Sequence, residues 1–452
     1  MSYKQLGLFV ILGCACSALS CTKSNNAHDA SSGGSGGGSA LTAPWDWVGI
    51  IGTGQSLAVG QFGTPAQALT QPYNNLKLST GSLPWPVDPN DPSLALVPLV
   101  EPIGRLATGY PSQWPSNIAG ETPHTAMADQ ITALMQAAAG HDYLTVHGEF
   151  GENGQSMAFL KKGALPTADN PHGGRAFEAT TIEVKAIQRL ALAAGKTYGI
   201  GAITLTHGES DSGNTSYDDA MVQLWTDYNA DLRAITGQTQ SIPMLVSQQN
   251  SVNDNSPSTL AEWRVGIDHP GDIVCTGPKY QYPYYTDGIH LITDGYEALG
   301  EKYAQVYFER VVLGHDWQPL QPTTVERDGQ VITVHFHVPV PPLTWDDTFQ
   351  TPHDSSPPWQ AGNGFEVTAA GKPVTIDSVA LSDDSVQITC GSDLPASGVH
   401  VSYALVANAT AMTTPFAGTK RWGKLRDSDP FVGAVTMKAQ PNYAVAFSLP
   451  VP

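Results

Sequence analysis

A chain of 452 residues is longer than one ordinary hydrophobic core and implies two or three domains, room enough for an enzyme plus a module. With 41% hydrophobic and 14% charged residues, and with glycine and proline frequent, it reads as loop-rich and globular, not disordered. A formal charge of -19 without any cluster of lysine or arginine excludes nucleic acid, because nothing is present to neutralise a run of phosphates.

The chain begins with five residues carrying Lys4, an apolar run over 6–19, and Ala18-Leu19-Ser20-Cys21. This is the shape of a signal peptide over 1–20, and the run is shorter than the roughly 20 residues of a membrane span. A cysteine just after small residues at that point resembles a bacterial lipobox, with Ala18 where leucine is usual. The resemblance implies that Cys21 becomes the lipidated first residue, and that the membrane is a partner through this N-terminal anchor. The expected location is therefore the periplasm or the cell surface. Residues 21–44 include Ser-Ser-Gly-Gly-Ser-Gly-Gly-Gly-Ser, the composition of a flexible spacer. Cys14 and Cys16 leave with the signal, so only Cys275 and Cys390 remain, expected as two buried thiols, with a disulfide left open.

From Trp45 the texture changes. Residues 45–51 are short, mostly apolar and rich in aromatic and β-branched types, the pattern of a buried strand, and run straight into Gly52-Thr53-Gly54-Gln55-Ser56. Further strand patterns occupy 143–147, 198–206 and 242–248, with helical patterns at 125–139, 176–194 and 217–236 between them and a last one at 295–313. Strands alternating with helices predict an α/β fold, a doubly wound parallel sheet with helices on both faces, over about residues 45–314. Beyond Trp317 the runs at 331–338, 378–389, 399–406 and 443–449 alternate in polarity between Pro, Gly, Asp and Ser. They predict an all-β, sandwich-like accessory module over 315–452.

Ser56 stands where a strand-to-helix turn presents a hydroxyl at the carboxyl edge of a sheet. By itself a glycine-flanked serine there is as well read as an ordinary turn. Asp287 and His290, three residues apart in Thr286-Asp287-Gly288-Ile289-His290, share one turn and suit a serine: the imidazole takes the hydroxyl proton and the carboxylate fixes its tautomer. Ser156 is a rival nucleophile, because Gly154-Gln155-Ser156-Met157-Ala158 echoes Gly54-Gln55-Ser56-Leu57-Ala58.

Four blocks occur in order: Gly54-Gln55-Ser56, Asn153-Gly154-Gln155-Ser156-Met157-Ala158, His207-Gly208-Glu209-Ser210-Asp211 and Asp287-Gly288-Ile289-His290. Together they resemble the SGNH/GDSL hydrolases of the sialate O-acetylesterase-like carbohydrate esterase branch, over roughly residues 45–313. The resemblance implies a metal-independent ester hydrolysis, without cofactors, through an acyl-enzyme on Ser56, most often acetyl, with an acetylated carbohydrate as substrate. It implies Ser56, Asp287 and His290 as the catalytic triad, and an oxyanion hole of the Ser56 and Gly154 N–H groups plus a side-chain donor. That donor is a glutamine or asparagine in much of the family, and His207 stands in its place. Glu209 and Asp211 are expected to brace loops by accepting backbone hydrogen bonds.

His335 and His337 share one face of a strand at a chelating spacing, but the simple reading is a solvated face, and no metal is expected. Asp88-Pro89-Asn90-Asp91 reads as a turn. Aromatics in 85–114, and Tyr282, Tyr284 and Tyr285 just before the Asp-His turn, either line a sugar groove or cap the sheet. Two other functions remain open: a lipase- or thioesterase-like hydrolase of the same fold, and a non-catalytic glycan-binding surface lipoprotein.

Overall fold

The computed structural model describes residues 41–82, 88–104, 120–171, 173–252, 255–347, 361–405 and 423–452. The signal peptide, Cys21, most of the spacer, and the aromatics of 85–114 lie outside the described residues.

The chain from Leu41 onward forms one compact unit. In order, its first part comprises β1 (Trp47–Gly54), β2 (Leu76–Leu78), β3 (Leu96–Pro98), α1 (Pro123–Ala139), β4 (Thr145–Glu149), α2 (Met157–Leu160) and α3 (Ala176–Ala193). There follow β5 (Tyr198–Thr206), α4 (Tyr217–Thr236), β6 (Met244–Gln248), α5 (Pro257–Asp268), β7 (Ile273–Pro278) and α6 (Thr293–Tyr307), which continues into a π-helical turn, Phe308–Val312.

These strands make one seven-stranded sheet in the order β3-β2-β4-β1-β5-β6-β7. All neighbours pair in parallel except β2 and β3, so the sheet is mixed, not purely parallel as the alternation predicted. β2 and β3, the two strands at one end of the sheet, have three residues each, too few to register as a hydrophobic period. All nine residues of β5 and seven of the eight in β1 are buried, as strands covered on both faces require. Side chains alternate accordingly: Ile51, Ile203 and Val246 face a core with α3 and α4, whereas Ile50, Ala202 and Leu245 face one with α1 and α6.

The second part comprises β8 (Gln321–Asp328), β9 (Val331–His337), β10 (Thr344–Trp345), β11 (Phe365–Ala369), β12 (Lys372–Val374) and β13 (Ile376–Ser382). It ends with β14 (Ser385–Cys390), β15 (Val399–Tyr403), β16 (Leu425–Arg426) and β17 (Phe447–Val451). Sheets β13-β14-β9-β8 and β12-β11-β15-β17 share one core as a sandwich, with β10 and β16 paired separately. The run 378–389 is a hairpin, turning at Asp383 with a φ of 53°, a conformation Asp tolerates.

The sandwich core is continuous with the α/β part, because Trp263, Cys275 and Tyr280 belong to it. Across the seam Tyr280 Oη donates to Ala444 O (2.6 Å), Gln248 Nε2 donates to Ala446 O (2.7 Å), and Lys302 Nζ donates to Gln440 O (3.0 Å) and Asn442 Oδ1 (2.9 Å). Cys275 and Cys390 are both buried free thiols. On β9, Ile332, Val334 and Phe336 point into the core. His335 lies on the other face, 3.9 Å from Glu326 and 3.8 Å from Asp384. Asp88 to Asp91 is a turn, closed by Asp91 N–H on Asp88 O at 3.0 Å.

Candidate active site

The central strand β1 ends at Gly54, whose φ is 142° and where a Cβ would meet the Thr206 carbonyl oxygen at 2.1 Å. Only glycine fits there. The chain then breaks from the sheet: Gln55 N–H donates to Thr206 O (3.2 Å), and Ser56 opens a series of turns instead of the helix expected.

His290 reaches this serine from the loop before α6, with Nε2 2.7 Å from Ser56 Oγ. Its Nδ1 lies 2.6 Å from Asp287 Oδ2, while Asp287 Oδ1 accepts the N–H groups of Ile289 (2.9 Å) and His290 (3.0 Å). The turn closes through Gly288, at a φ of 66°, with Tyr285 N–H on His290 O at 2.7 Å. Burial opposes the charge on Asp287, but the His290 ring and the two N–H groups outweigh it and hold the carboxyl below its ordinary value. Nδ1 therefore carries the ring proton, and Nε2 is left to accept from Ser56 Oγ–H.

The loop after β4 lies alongside: Phe150 N–H donates to Gly52 O (2.9 Å) and Glu152 N–H to Gly54 O (2.9 Å). This pairing carries Gly154, two residues past Glu152, toward Ser56, two residues past Gly54. Among the described residues neither the Ser56 nor the Gly154 N–H donates to a protein acceptor, which leaves both for an oxyanion. Ser156, seven residues beyond the end of β4, stands at the N-terminus of α2, and no histidine is bonded to its hydroxyl among the described residues.

His207 corrects the expectation of a third oxyanion donor. It is fully buried at the end of β5, with Nε2 2.9 Å from Gln155 O and Nδ1 2.7 Å from the Tyr217 hydroxyl. A carbonyl only accepts, so Nε2 carries the proton and spends it on Gln155, while Nδ1 accepts from Tyr217. Burial holds this imidazole below its ordinary pKa, consistent with a neutral ring. What His207 does instead is fasten the Gly154-bearing loop.

Asp211 braces as expected, accepting Met157 N–H at 2.7 Å. Glu209 does so differently: it pairs with buried Lys279 at 3.0 Å, tying the β5 loop to the segment that leads to Asp287. Lys279 carried no signal in the sequence, being a single lysine just past an apolar strand. Gln55 accepts Ser210 N–H at 2.9 Å and joins the first block to the third.

Of the three tyrosines before the Asp-His turn, Tyr282 and Tyr284 are buried in the core with α6, and only Tyr285 is exposed. Its ring stacks on Phe62 with centroids 4.4 Å apart, and Phe62 meets the His290 ring edgewise at 5.1 Å. No sequence pattern marked Phe62.

No protein-family model and no curated protein matches the sequence. Among solved structures, a carbohydrate acetylesterase from Xanthomonas citri matches with a TM-score of 0.54 and 12% identity, over 89% of this chain and 80% of that one. The fold is that of the SGNH-type carbohydrate esterases. That share of the chain is larger than the α/β part, so the likeness extends into the β-sandwich. A protein from Arabidopsis thaliana matches with a TM-score of 0.42 and 18% identity, over 59% of this chain and all of its own. A carbohydrate acetylesterase family member from Sinorhizobium meliloti has a TM-score of 0.30 and 12% identity, over 59% of this chain and 99% of its own.

Proposed function

We propose that this protein is a serine esterase that removes short acyl groups, acetyl foremost, from a carbohydrate. The relay of Ser56, His290 and Asp287, with contacts of 2.7 and 2.6 Å at the carboxyl edge of an SGNH-type sheet, carries the reading. Ser56 Oγ attacks the ester carbon as its proton passes to His290 Nε2, and the carbonyl electron pair moves onto oxygen, facing the Ser56 and Gly154 N–H groups. Collapse expels the sugar alkoxide, which takes the proton back from His290. Water then repeats both steps on the acyl-enzyme and frees the acid and the serine.

The test is acid release by the fragment beginning at Leu41, on esters of one alcohol with acyl chains from acetyl to dodecanoyl. Mass spectrometry of the trapped acyl-enzyme runs alongside. Acetyl preference with the acyl group on the Ser56 peptide is the expected outcome; preference for long chains favours a lipase-like hydrolase, and inertness on all of them leaves the glycan-binding reading.

Export and lipid anchoring at Cys21 belong to the same proposal, supported by the N-terminal sequence pattern. Full-length protein should partition with membranes and carry acyl chains on Cys21, and Cys21→Ser should release it to the soluble fraction. Retention of Cys21→Ser in the membrane overturns the anchor.

A further inference from the structure

We propose that Phe62 and Tyr285 form the recognition wall for the sugar, the alcohol side of the ester, and not for the acyl group. The inference rests on the esterase reading above. Phe62 and Tyr285 are the two aromatic members of the exposed large apolar side chains among the described residues, 37% and 40% exposed, and they lie together. Their rings are parallel within 3°, and Phe62 touches the ring of His290. A lone exposed aromatic is ordinary, but two stacked beside the general base make a flat apolar surface of the kind that receives the C–H face of a pyranose.

The mechanism fixes which half of the ester meets that surface. His290 Nε2 must protonate the leaving alkoxide, so the alcohol oxygen sits at the imidazole, and the rings packed on that imidazole flank the alcohol. The carbonyl oxygen turns to the oxyanion donors, and the alcohol oxygen to the imidazole. A wall on the His290 side thus reads the alcohol.

The loop presenting Phe62 is held for the purpose. Phe62 has a φ of 65°, a conformation unfavourable for a bulky residue, and such strain persists only where the surroundings impose it. Beneath it, Glu121 N–H donates to Gly63 O (2.7 Å), and Glu121 Oε2 accepts Gln67 N–H (2.6 Å) and Ala68 N–H (3.1 Å). Tyr296 Oη donates to Gln61 O (2.7 Å) and Thr293 Oγ1 to Pro65 O (2.9 Å). Binding to a platform already ordered loses less entropy than binding to a loop that must first be ordered.

The experiment compares kcat/KM for a mono-O-acetyl methyl pyranoside, cyclohexyl acetate and ethyl acetate in the parent fragment, Phe62→Ala and Tyr285→Ala. The ratio of pyranoside to ethyl acetate should fall about tenfold or more in each variant, chiefly through KM, the effect of losing one apolar ring face. Phe62→Tyr and Tyr285→Phe should restore it, while the ratio of butanoyl to acetyl esters of ethanol stays at the parental value. An equal loss on pyranoside and ethyl acetate means the rings only position His290, and overturns the wall. A larger loss on cyclohexyl acetate than on the pyranoside reassigns it to aliphatic alcohols and also overturns the proposal. A parent inert on every acetate sinks the esterase reading itself, a different result from an active parent whose ratios do not move.

Discussion

Two segments of this chain share the letters Gly-Gln-Ser-x-Ala, at 54–58 and 154–158, and the fold gives them different surroundings. The first leaves the middle of the sheet, flanked by β4 and β5, and its serine meets a histidine delivered from 234 residues away. The second begins five residues after its strand has ended, and its serine merely opens the four-residue helix α2. Their glutamines differ likewise: Gln55 uses its side chain to accept Ser210 N–H, whereas Gln155 offers its backbone carbonyl to His207. What brings a histidine to one serine and not to the other is therefore the distance from a strand end and what the neighbouring loops deliver, neither of which is written in the five letters.

The largest expected effect breaks the pair apart. Ser56→Ala should lower kcat on a small acetate ester by about 10³ to 10⁶, leaving only what the oxyanion donors and binding supply. Ser156→Ala should stay within about threefold of the parent, as expected for a partly exposed side chain that makes no cap hydrogen bond. Steady-state rates on variants with parental thermal unfolding decide it; if Ser156→Ala is the dead one, the two blocks have been assigned the wrong way round.

The α/β order, the strands at β1, β4, β5 and β6 and the meeting of Ser56, His290 and Asp287 were legible because each rests on local signals: apolar runs, a helical period, and an Asp-x-x-His turn. The short strands β2 and β3 and the hairpin inside 378–389 were not, since three residues make no period and Asp383 takes its left-handed φ without a glycine to announce it. Phe62 and Lys279 escaped for another reason. Each acts through a partner distant in sequence, Tyr285 and Glu209, and a single aromatic or lysine has no local context that points so far. The role of His207 was misread because block alignment supplies a position but not the partners of its two ring nitrogens.

A smaller effect sharpens the comparison at that histidine. If position 207 held an oxyanion donor, His207→Gln would restore the usual family side chain and keep or raise the rate. The geometry predicts the reverse, because glutamine cannot both donate to Gln155 O and accept from Tyr217 Oη with the reach of an imidazole. Leaving a buried carbonyl or hydroxyl unpaired costs about 1–3 kcal/mol, some of it expressed as misplacement of Gly154. His207→Gln should therefore lose roughly tenfold in kcat, along with some thermal stability. A rate at or above the parent's restores His207 to the oxyanion hole.

The smallest effect concerns the carboxylates that serve the two segments, whose proton equilibria are displaced in opposite directions. Asp287 is held below its ordinary value, so its contribution to stability is present above about pH 4 and is lost as pH falls through the folded value. Glu152, just before the second segment, is pushed up to about 7: burial raises it, and the N–H groups of Arg175, Ala176 and Gly174 only partly offset that. Its folded state binds the proton more tightly than the unfolded chain, so this contribution is greatest below the ordinary value of 4.5 and is lost as pH rises through about 7. Buried Glu101 and Glu183, both raised to about 8, slope the same way, so the whole protein should lose Tm between pH 5 and 8. Glu152→Gln removes one titration and should make that loss smaller by roughly 2–5 °C, whatever it does to the absolute Tm. Parallel Tm-against-pH curves for parent and variant would mean that Glu152 is ionised throughout, with its three N–H donors outweighing its burial, and that the two segments do not differ in this respect.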